Sequence, residues 1–207
     1  MRQTPILIAA CLSLLASAAA AQPDPEAARI HGFAQRMFAT KSFDDKVTAC
    51  FARTYDAAHL ARHPKQTVSA MKMLVSAEML EDDKYSSLNY AFKLDVKFRD
   101  RKGDYAAAMD CGYAYMSEVK REGVRVSCKE GCEGGGLEIA LAPDSKAIIV
   151  KLDSIGIWLA DNPQDESGQH ALSGGADDKV FRLERVDNAL CEPLSKRNDE
   201  VAALPAK

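Results

Sequence analysis

Two histidines and an aspartate stand at spacings that could bring three metal-binding side chains together. His59 and His63 are four residues apart, and Asp56 lies three residues before His59. On a helix these spacings place side chains on one face, and imidazole and carboxylate groups are ligands that zinc and copper accept. The pattern therefore predicts a candidate metal site, for a metal-dependent enzyme or a metal carrier. The alternative is structural, because histidines also pack and cap at helix ends.

The cysteines are the second group with chemistry of their own. The chain contains six, of which Cys11 lies in the N-terminal segment considered below. In an oxidising compartment the other five form at most two disulfides and leave one thiol unpaired. Two acids close to the fourth of these cysteines disfavour a reactive thiolate, so structural bridges are favoured over a redox centre. The disulfide candidates are Cys50, Cys111, Cys128, Cys132 and Cys191.

One cysteine pairing has a geometric reason. If the two strands that contain Cys111 and Cys128 form a β-hairpin, one register places these cysteines directly opposite each other. Opposed residues at a non-hydrogen-bonded position have Cβ atoms near the distance that a disulfide requires. We therefore favour a bridge between Cys111 and Cys128, and Cys191 then pairs with either Cys50 or Cys132.

Other catalytic signatures are missing from the sequence. It contains no serine nucleophile elbow, no phosphate-binding glycine loop and no dinucleotide fingerprint. Its acids show no spacing that identifies a general acid and base pair. The expectation therefore leans away from an enzyme, and no cofactor is predicted.

Length and composition narrow the class of protein. The chain has 207 residues, of which 47% are hydrophobic and 28% charged, as expected for one ordinary globular domain. A net charge of −3 provides no field that attracts phosphate backbones, so nucleic acid is not an expected partner. After the N-terminal segment there is no long uncharged stretch, so no membrane span is predicted in the mature chain.

Residues 1–21 have the composition of a signal peptide. Arg2 provides the positive charge, an apolar stretch follows at 6–15, and small residues lead to a cleavage site near Ala21. The sequence therefore predicts export, with the mature chain periplasmic or secreted.

Two helices are predicted before the sheet begins. An aspartate followed by a proline starts the first helix near Pro25, and its apolar residues share one face. A shorter helix is predicted at 57–63, where an aspartate caps the start and a proline follows the end. The segment 42–54 fits either a helix or an extended strand. We assign 22–66 to a helical segment that packs on the sheet.

From residue 67 onward the period of the apolar residues changes from helical to two. The clearest example is 90–99, where apolar residues alternate with polar ones, mostly charged. Short connections favour antiparallel pairing of neighbours. We predict a mainly β fold of about eight antiparallel strands in a meander at 67–191, forming a small barrel or strongly coiled sheet before a polar tail at 192–207. The predicted strands are 67–77, 90–99, 105–116, 124–128, 137–141, 147–152, 155–159 and 180–184.

The interior and the loops of such a barrel are candidate binding regions. The acidic segment 161–178 is predicted as a long exposed loop that a protein partner could contact. Side chains that face inward could bind a small molecule, or they could simply fill the core. The ligand-lining candidates are Phe92, Tyr105, Met109, Tyr113, Tyr115 and Trp158.

The function predicted from these observations is that of an exported soluble binding module. Its ligand is either a small molecule in the barrel or a protein partner held through the loops, as an inhibitor would hold one. The alternatives are a metal-dependent enzyme or carrier built on Asp56, His59 and His63, and a purely structural envelope protein.

Overall fold

The computed structural model describes residues 24–80, 88–117, 123–129, 135–161 and 170–197. The signal peptide predicted at 1–21 lies outside these residues. The described helices are α1 (Pro25–Phe38), α2 (Ala57–Arg62), the 3₁₀ helix Asn188–Cys191 and α3 (Glu192–Ser195). The described strands are β1 (Val47–Thr54), β2 (Val68–Met79), β3 (Leu88–Phe98), β4 (Tyr105–Met116), β5 (Val124–Lys129), β6 (Gly136–Leu141), β7 (Ala147–Leu159), β8 (His170–Ser173) and β9 (Val180–Val186).

The strands form one antiparallel sheet that closes into a ring. Strands β1 to β7 each pair with the next along the chain, β9 pairs with β7, and β1 pairs with β9 to complete the ring. The short strand β8 pairs with the C-terminal part of β7. The ring is not a strict barrel, because the start of β4 also pairs with the end of β7, where Tyr105 lies opposite Leu159. The predicted mainly β meander of antiparallel strands is confirmed.

Two strands lie where helix or loop was expected. Strand β1 lies within 22–66, and its pattern is ambiguous because both of its faces are buried at Ala49, Cys50 and Phe51. A strand covered on both sides loses the alternation that identifies a half-exposed one. Strand β8 lies within the predicted loop 161–178, and only one of its four residues is buried, so no apolar period marks it.

Strand β7 is continuous, although the sequence predicted two shorter strands there. Gly136 pairs with Ser154 whereas Leu137 pairs with Leu152, so Asp153 is an extra residue in the ladder. Such a β-bulge reverses which side chains point inward. The apolar alternation therefore breaks at Asp153, and the break resembles a turn in the sequence.

Helix α1 lies across the ring and helps to fill it. The side chain of Asp24 accepts a hydrogen bond from the backbone N–H of Glu26 and caps the helix. Phe33, Met37 and Phe38 on the buried face of the helix join the core of the ring. The helix contacts β1 on one side of the ring and β4 and β5 on the other. One helix therefore ties together strands that are not neighbours in the sheet.

The interior of the ring is packed with large side chains. Burial of each such side chain contributes about 1.5–3 kcal/mol, so this core is the main source of stability. Within the described ranges, no helix is both long and apolar enough to cross a membrane. The largest fully buried side chains are Tyr90, Phe33, Phe51, Phe92, Phe181, Met37, Met73, Leu94, Ile139, Ile148, Ile155 and Ile157.

A second, smaller core lies on the outer face of the sheet, under the C-terminal helices. A disulfide between Cys50 and Cys191 joins β1 to the 3₁₀ helix, and Leu194 of α3 is fully buried beside it. The segment 192–207 was expected to be a polar tail. Its first residues instead form α3 and pack on the sheet.

Candidate functional site

The predicted metal-binding residues lie together at α2, where they make other contacts. The Asp56 side chain accepts a hydrogen bond of 2.7 Å from the backbone N–H of His59 and caps the helix. The Gln66 side chain donates to the carbonyl oxygen of Val68 at 2.7 Å, which orients its amide. His59 Nε2 therefore donates to Gln66 Oε1, at 3.0 Å. The rings of His59 and His63 are stacked, with centroids 4.4 Å apart.

This arrangement gives the metal hypothesis no support. Asp56 acts as a helix cap, and one ring nitrogen of His59 is engaged by Gln66. In the part of the chain that the structure describes, no group of three or more His, Cys, Asp or Glu side chains is placed to hold a metal ion. The geometry matches the structural alternative, in which the histidines cap and pack.

Next to Asp56, His59 and His63 lies a buried carboxylate that nothing in the sequence predicts. Asp178 is only 3% exposed, and its Oδ2 accepts hydrogen bonds from the Thr67 N–H at 2.7 Å and the Thr67 hydroxyl at 2.6 Å. Oδ1 accepts from the N–H of Val68 at 3.4 Å. Asp178 thus fixes the start of β2 against the segment before β9. In the sequence it is one acid among many in an acidic segment, so nothing distinguishes it.

Tyr55 packs against His59 within electrostatic range of Asp178. Its ring centroid lies 4.6 Å from that of His59. Burial raises the pKa of the Tyr55 phenol, while Arg53 opposes the shift and Asp178 adds to it. The cluster therefore holds together the segments around α2, and each of its polar contacts has a structural role.

The six ligand-lining candidates divide between the interior and the surface. Phe92 and Tyr105 are buried in the core, and Met109 and Trp158 are half-buried against it. The other two lie on the outer face of β4, where Tyr113 is 50% and Tyr115 is 36% exposed. The structure thus separates the candidates, and the interior ones take part in core packing.

A β-bulge in β4 explains why these two tyrosines face outward. Asp110 pairs with Ala91 and Gly112 pairs with Tyr90, so Cys111 is an extra residue in the ladder. Gly112 has a positive φ of 75°, which glycine adopts without the strain that a Cβ would add. The bulge reverses the alternation, so odd-numbered residues after it point outward. The sequence pattern contains no sign of this reversal beyond the glycine itself.

The same bulge brings the favoured cysteines together. The disulfide between Cys111 and Cys128 is present, as predicted. The register of β4 and β5 is one residue away from the predicted one, because Ala114 pairs with Val126. The extra residue at the bulge compensates for this difference.

Two disulfides are therefore present, and the structure decides between the two alternatives for the second. Cys191 pairs with Cys50 rather than with Cys132. Cys132 lies outside the described residues. Two disulfides indicate an oxidising, extracytoplasmic environment.

Two adjoining cavities lie on the outer face of the sheet beside the Cys111–Cys128 disulfide, and we call them together the outer groove. The larger, the tyrosine cavity, has a volume of about 660 Å³, and the smaller, the lysine cavity, about 340 Å³. They share Ser127, Lys129 and Glu138. The tyrosine cavity is also lined by Asp110, Tyr113 and Tyr115, and the lysine cavity by Gly136, Lys151 and Lys179.

Glu138 stands between the two cavities and has a contact on each side. The hydroxyl of Tyr115 donates to Glu138 Oε1 at 3.0 Å. The ammonium of Lys151 lies 4.0 Å from Glu138 Oε2, a separation that contributes little at the surface. The groove therefore presents aromatic rings, carboxylates, ammonium groups and a hydroxyl on a rigid sheet. These are groups that orient a ligand, and no arrangement of nucleophile and base accompanies them in the described lining.

Comparison of the chain with protein families, with curated proteins and with solved structures finds no match.

Proposed function

We propose that the protein is an exported binding module that binds its ligand or partner on the outer groove. Export is supported by the signal-peptide composition of 1–21 and by the two disulfides, which are stable in the periplasm or outside the cell. The observation that carries the proposal is the outward position of Tyr113 and Tyr115 at the larger of the two cavities of the outer groove.

The packed interior favours binding on the surface. Side chains from α1 and from all parts of the ring fill the core, and Phe92 and Tyr105 are part of it. A ligand inside would have to displace such side chains, at a cost of several kcal/mol in lost packing. The described lining residues of the outer groove leave both cavities open without any such rearrangement.

The groove is also held rigidly. The Cys111–Cys128 disulfide crosses between β4 and β5 at the edge of the tyrosine cavity, and β5, β6 and β7 are hydrogen-bonded to one another. A preformed surface loses less conformational freedom on binding, which favours affinity.

Site-specific photo-crosslinking in cells that export the protein tests this proposal. A benzophenone amino acid replaces Tyr113 in one variant and Thr54 in another. Thr54 is exposed on β1, on the opposite side of the ring, and provides the matched control. We expect covalent adducts of defined mass at position 113 and none at 54. No adduct at 113, or equal adducts at both positions, would reject the groove and favour a structural envelope role.

A further inference from the structure

The described lining of the tyrosine cavity combines aromatic rings with polar groups and includes no aliphatic side chain. Tyr113 and Tyr115 lie two residues apart on one face of β4, so their positions are about 7 Å apart along the strand. Opposite them are Ser127, Lys129 and Glu138, and Asp110 completes the wall. From this lining we infer that the tyrosine cavity of the outer groove binds a neutral oligosaccharide, an inference that rests on the proposed function.

The aromatic rings match the apolar faces of sugars. A pyranose ring presents a face of C–H groups, and the electron-rich face of a tyrosine attracts such weakly positive hydrogens. Tyr113 is 50% and Tyr115 is 36% exposed, and the exposed part of each ring provides a stacking surface for one sugar unit. A volume of about 660 Å³ lies within the range of roughly 300–1,000 Å³ that is usual for ligand pockets.

The polar groups match sugar hydroxyls better than charged or apolar ligands. Carboxylates accept from hydroxyl groups, ammonium groups donate to them, and a serine hydroxyl does both. Among the described lining residues of the tyrosine cavity, Asp110 and Glu138 stand against Lys129, an excess of one negative charge that disfavours anionic ligands. Since its described lining includes no Leu, Ile, Val, Met or Phe, an apolar ligand would gain little by binding there.

Titration of the purified mature protein with a defined panel of oligosaccharides tests the inference. The neutral probes are cellohexaose and chitohexaose, the cationic probe is a glucosamine hexamer, and the anionic probe is an oligogalacturonate. We expect saturable binding of at least one neutral probe, with a Kd of about 1 mM or below, as measured by calorimetry and by shifts in NMR spectra. The charged probes should bind at least tenfold more weakly.

Matched variants locate the binding. Tyr113→Ala with Tyr115→Ala should weaken it at least tenfold. Asp110→Ala changes only an exposed side chain and should weaken it severalfold. Leu190→Ala serves as the control, because Leu190 is 53% exposed and lies far from the groove in sequence and on another element. Circular dichroism verifies that each variant is folded.

Two outcomes overturn the inference. Tighter binding of the glucosamine hexamer than of the neutral probes would indicate a basic partner. If neither neutral probe binds saturably at millimolar concentration, the ligand is not a neutral oligosaccharide. If crosslinks at position 113 are nevertheless observed and carry a protein-sized mass, the outer groove is the binding site and only the ligand class is wrong. If these crosslinks are absent as well, the proposed function fails together with the saccharide inference.

Discussion

At the scale of single residues, Tyr90 stands out because the fold buries its phenol group. It is 1% exposed beneath α1, with its ring 6.3 Å from that of Phe33 and 6.0 Å from that of Phe38. Its hydroxyl has no hydrogen-bond partner among the residues that the structure describes. Burial alone raises the pKa of the Tyr90 phenol far above its usual value.

Tyr90→Phe should therefore stabilise the protein or leave its stability unchanged. Removal of an unpaired buried hydroxyl recovers part of a desolvation penalty of about 1–3 kcal/mol. Because the folded-state pKa is raised, the wild type should lose stability as the pH rises above about 10, where the unfolded phenol ionises. The variant should lose less stability over the same pH range. Urea unfolding at neutral and alkaline pH measures both effects, and a destabilised variant at neutral pH would show that the hydroxyl has a partner.

Gly136 is a second residue whose type is dictated by its place in the fold. Its φ is +132°, and a Cβ there would collide with the carbonyl oxygen of Cys128. Gly136→Ala should cost at least ~2 kcal/mol more than Gly123→Ala, because Gly123 has a positive φ but no described atom lies within 4 Å of the position of its Cβ. Thermal or urea unfolding of both variants provides the comparison. Equal losses of stability would mean that the positive φ alone, and not the close approach to Cys128, requires glycine at position 136.

At the scale of elements, the sequence predicts most strands, and β-bulges, among them those in β4 and β7, limit the prediction of which side chains share a face. Half-exposed strands such as β3 alternate regularly and are recognisable. Bulges at Cys111 and Asp153 each insert one residue and reverse the alternation that follows. The candidate site depends on the first of them, because Tyr113 and Tyr115 point outward only after the reversal. Along β4, Gly112 is the one residue type that marks this reversal.

The start of β2 is held by Asp178, which lies far away in the sequence, in the segment before β9. Asp178→Ala should destabilise the protein by roughly 2–4 kcal/mol, because three donors of Thr67 and Val68 lose a buried acceptor. Asp177→Ala is the matched control. Asp177 accepts from the backbone of Lys65 at 3.1 Å and is less buried, so its loss should cost under about 1 kcal/mol. Urea unfolding measures both, and similar losses would contradict the structural role of Asp178.

At the scale of the whole molecule, the two disulfides close chain loops of very different length. Cys50–Cys191 spans 141 residues and Cys111–Cys128 spans 17. From the entropy of loop closure, removal of the first should cost about 5 kcal/mol and removal of the second about 3 kcal/mol. Paired Cys→Ala variants in a Cys132→Ala background, which prevents exchange, test this order by urea unfolding. A larger loss for the short loop would show that local geometry outweighs chain entropy.

The central claim is that the ring is filled and that binding takes place outside it. Native and denaturing mass spectra of the exported protein with Tyr113→Ala and Tyr115→Ala test it most directly, because these changes remove the groove's aromatic surface and leave the interior intact. We predict equal native and denatured masses, with no retained molecule. A small molecule that remains bound to this variant and is released only on denaturation would place the ligand inside the ring and contradict the account.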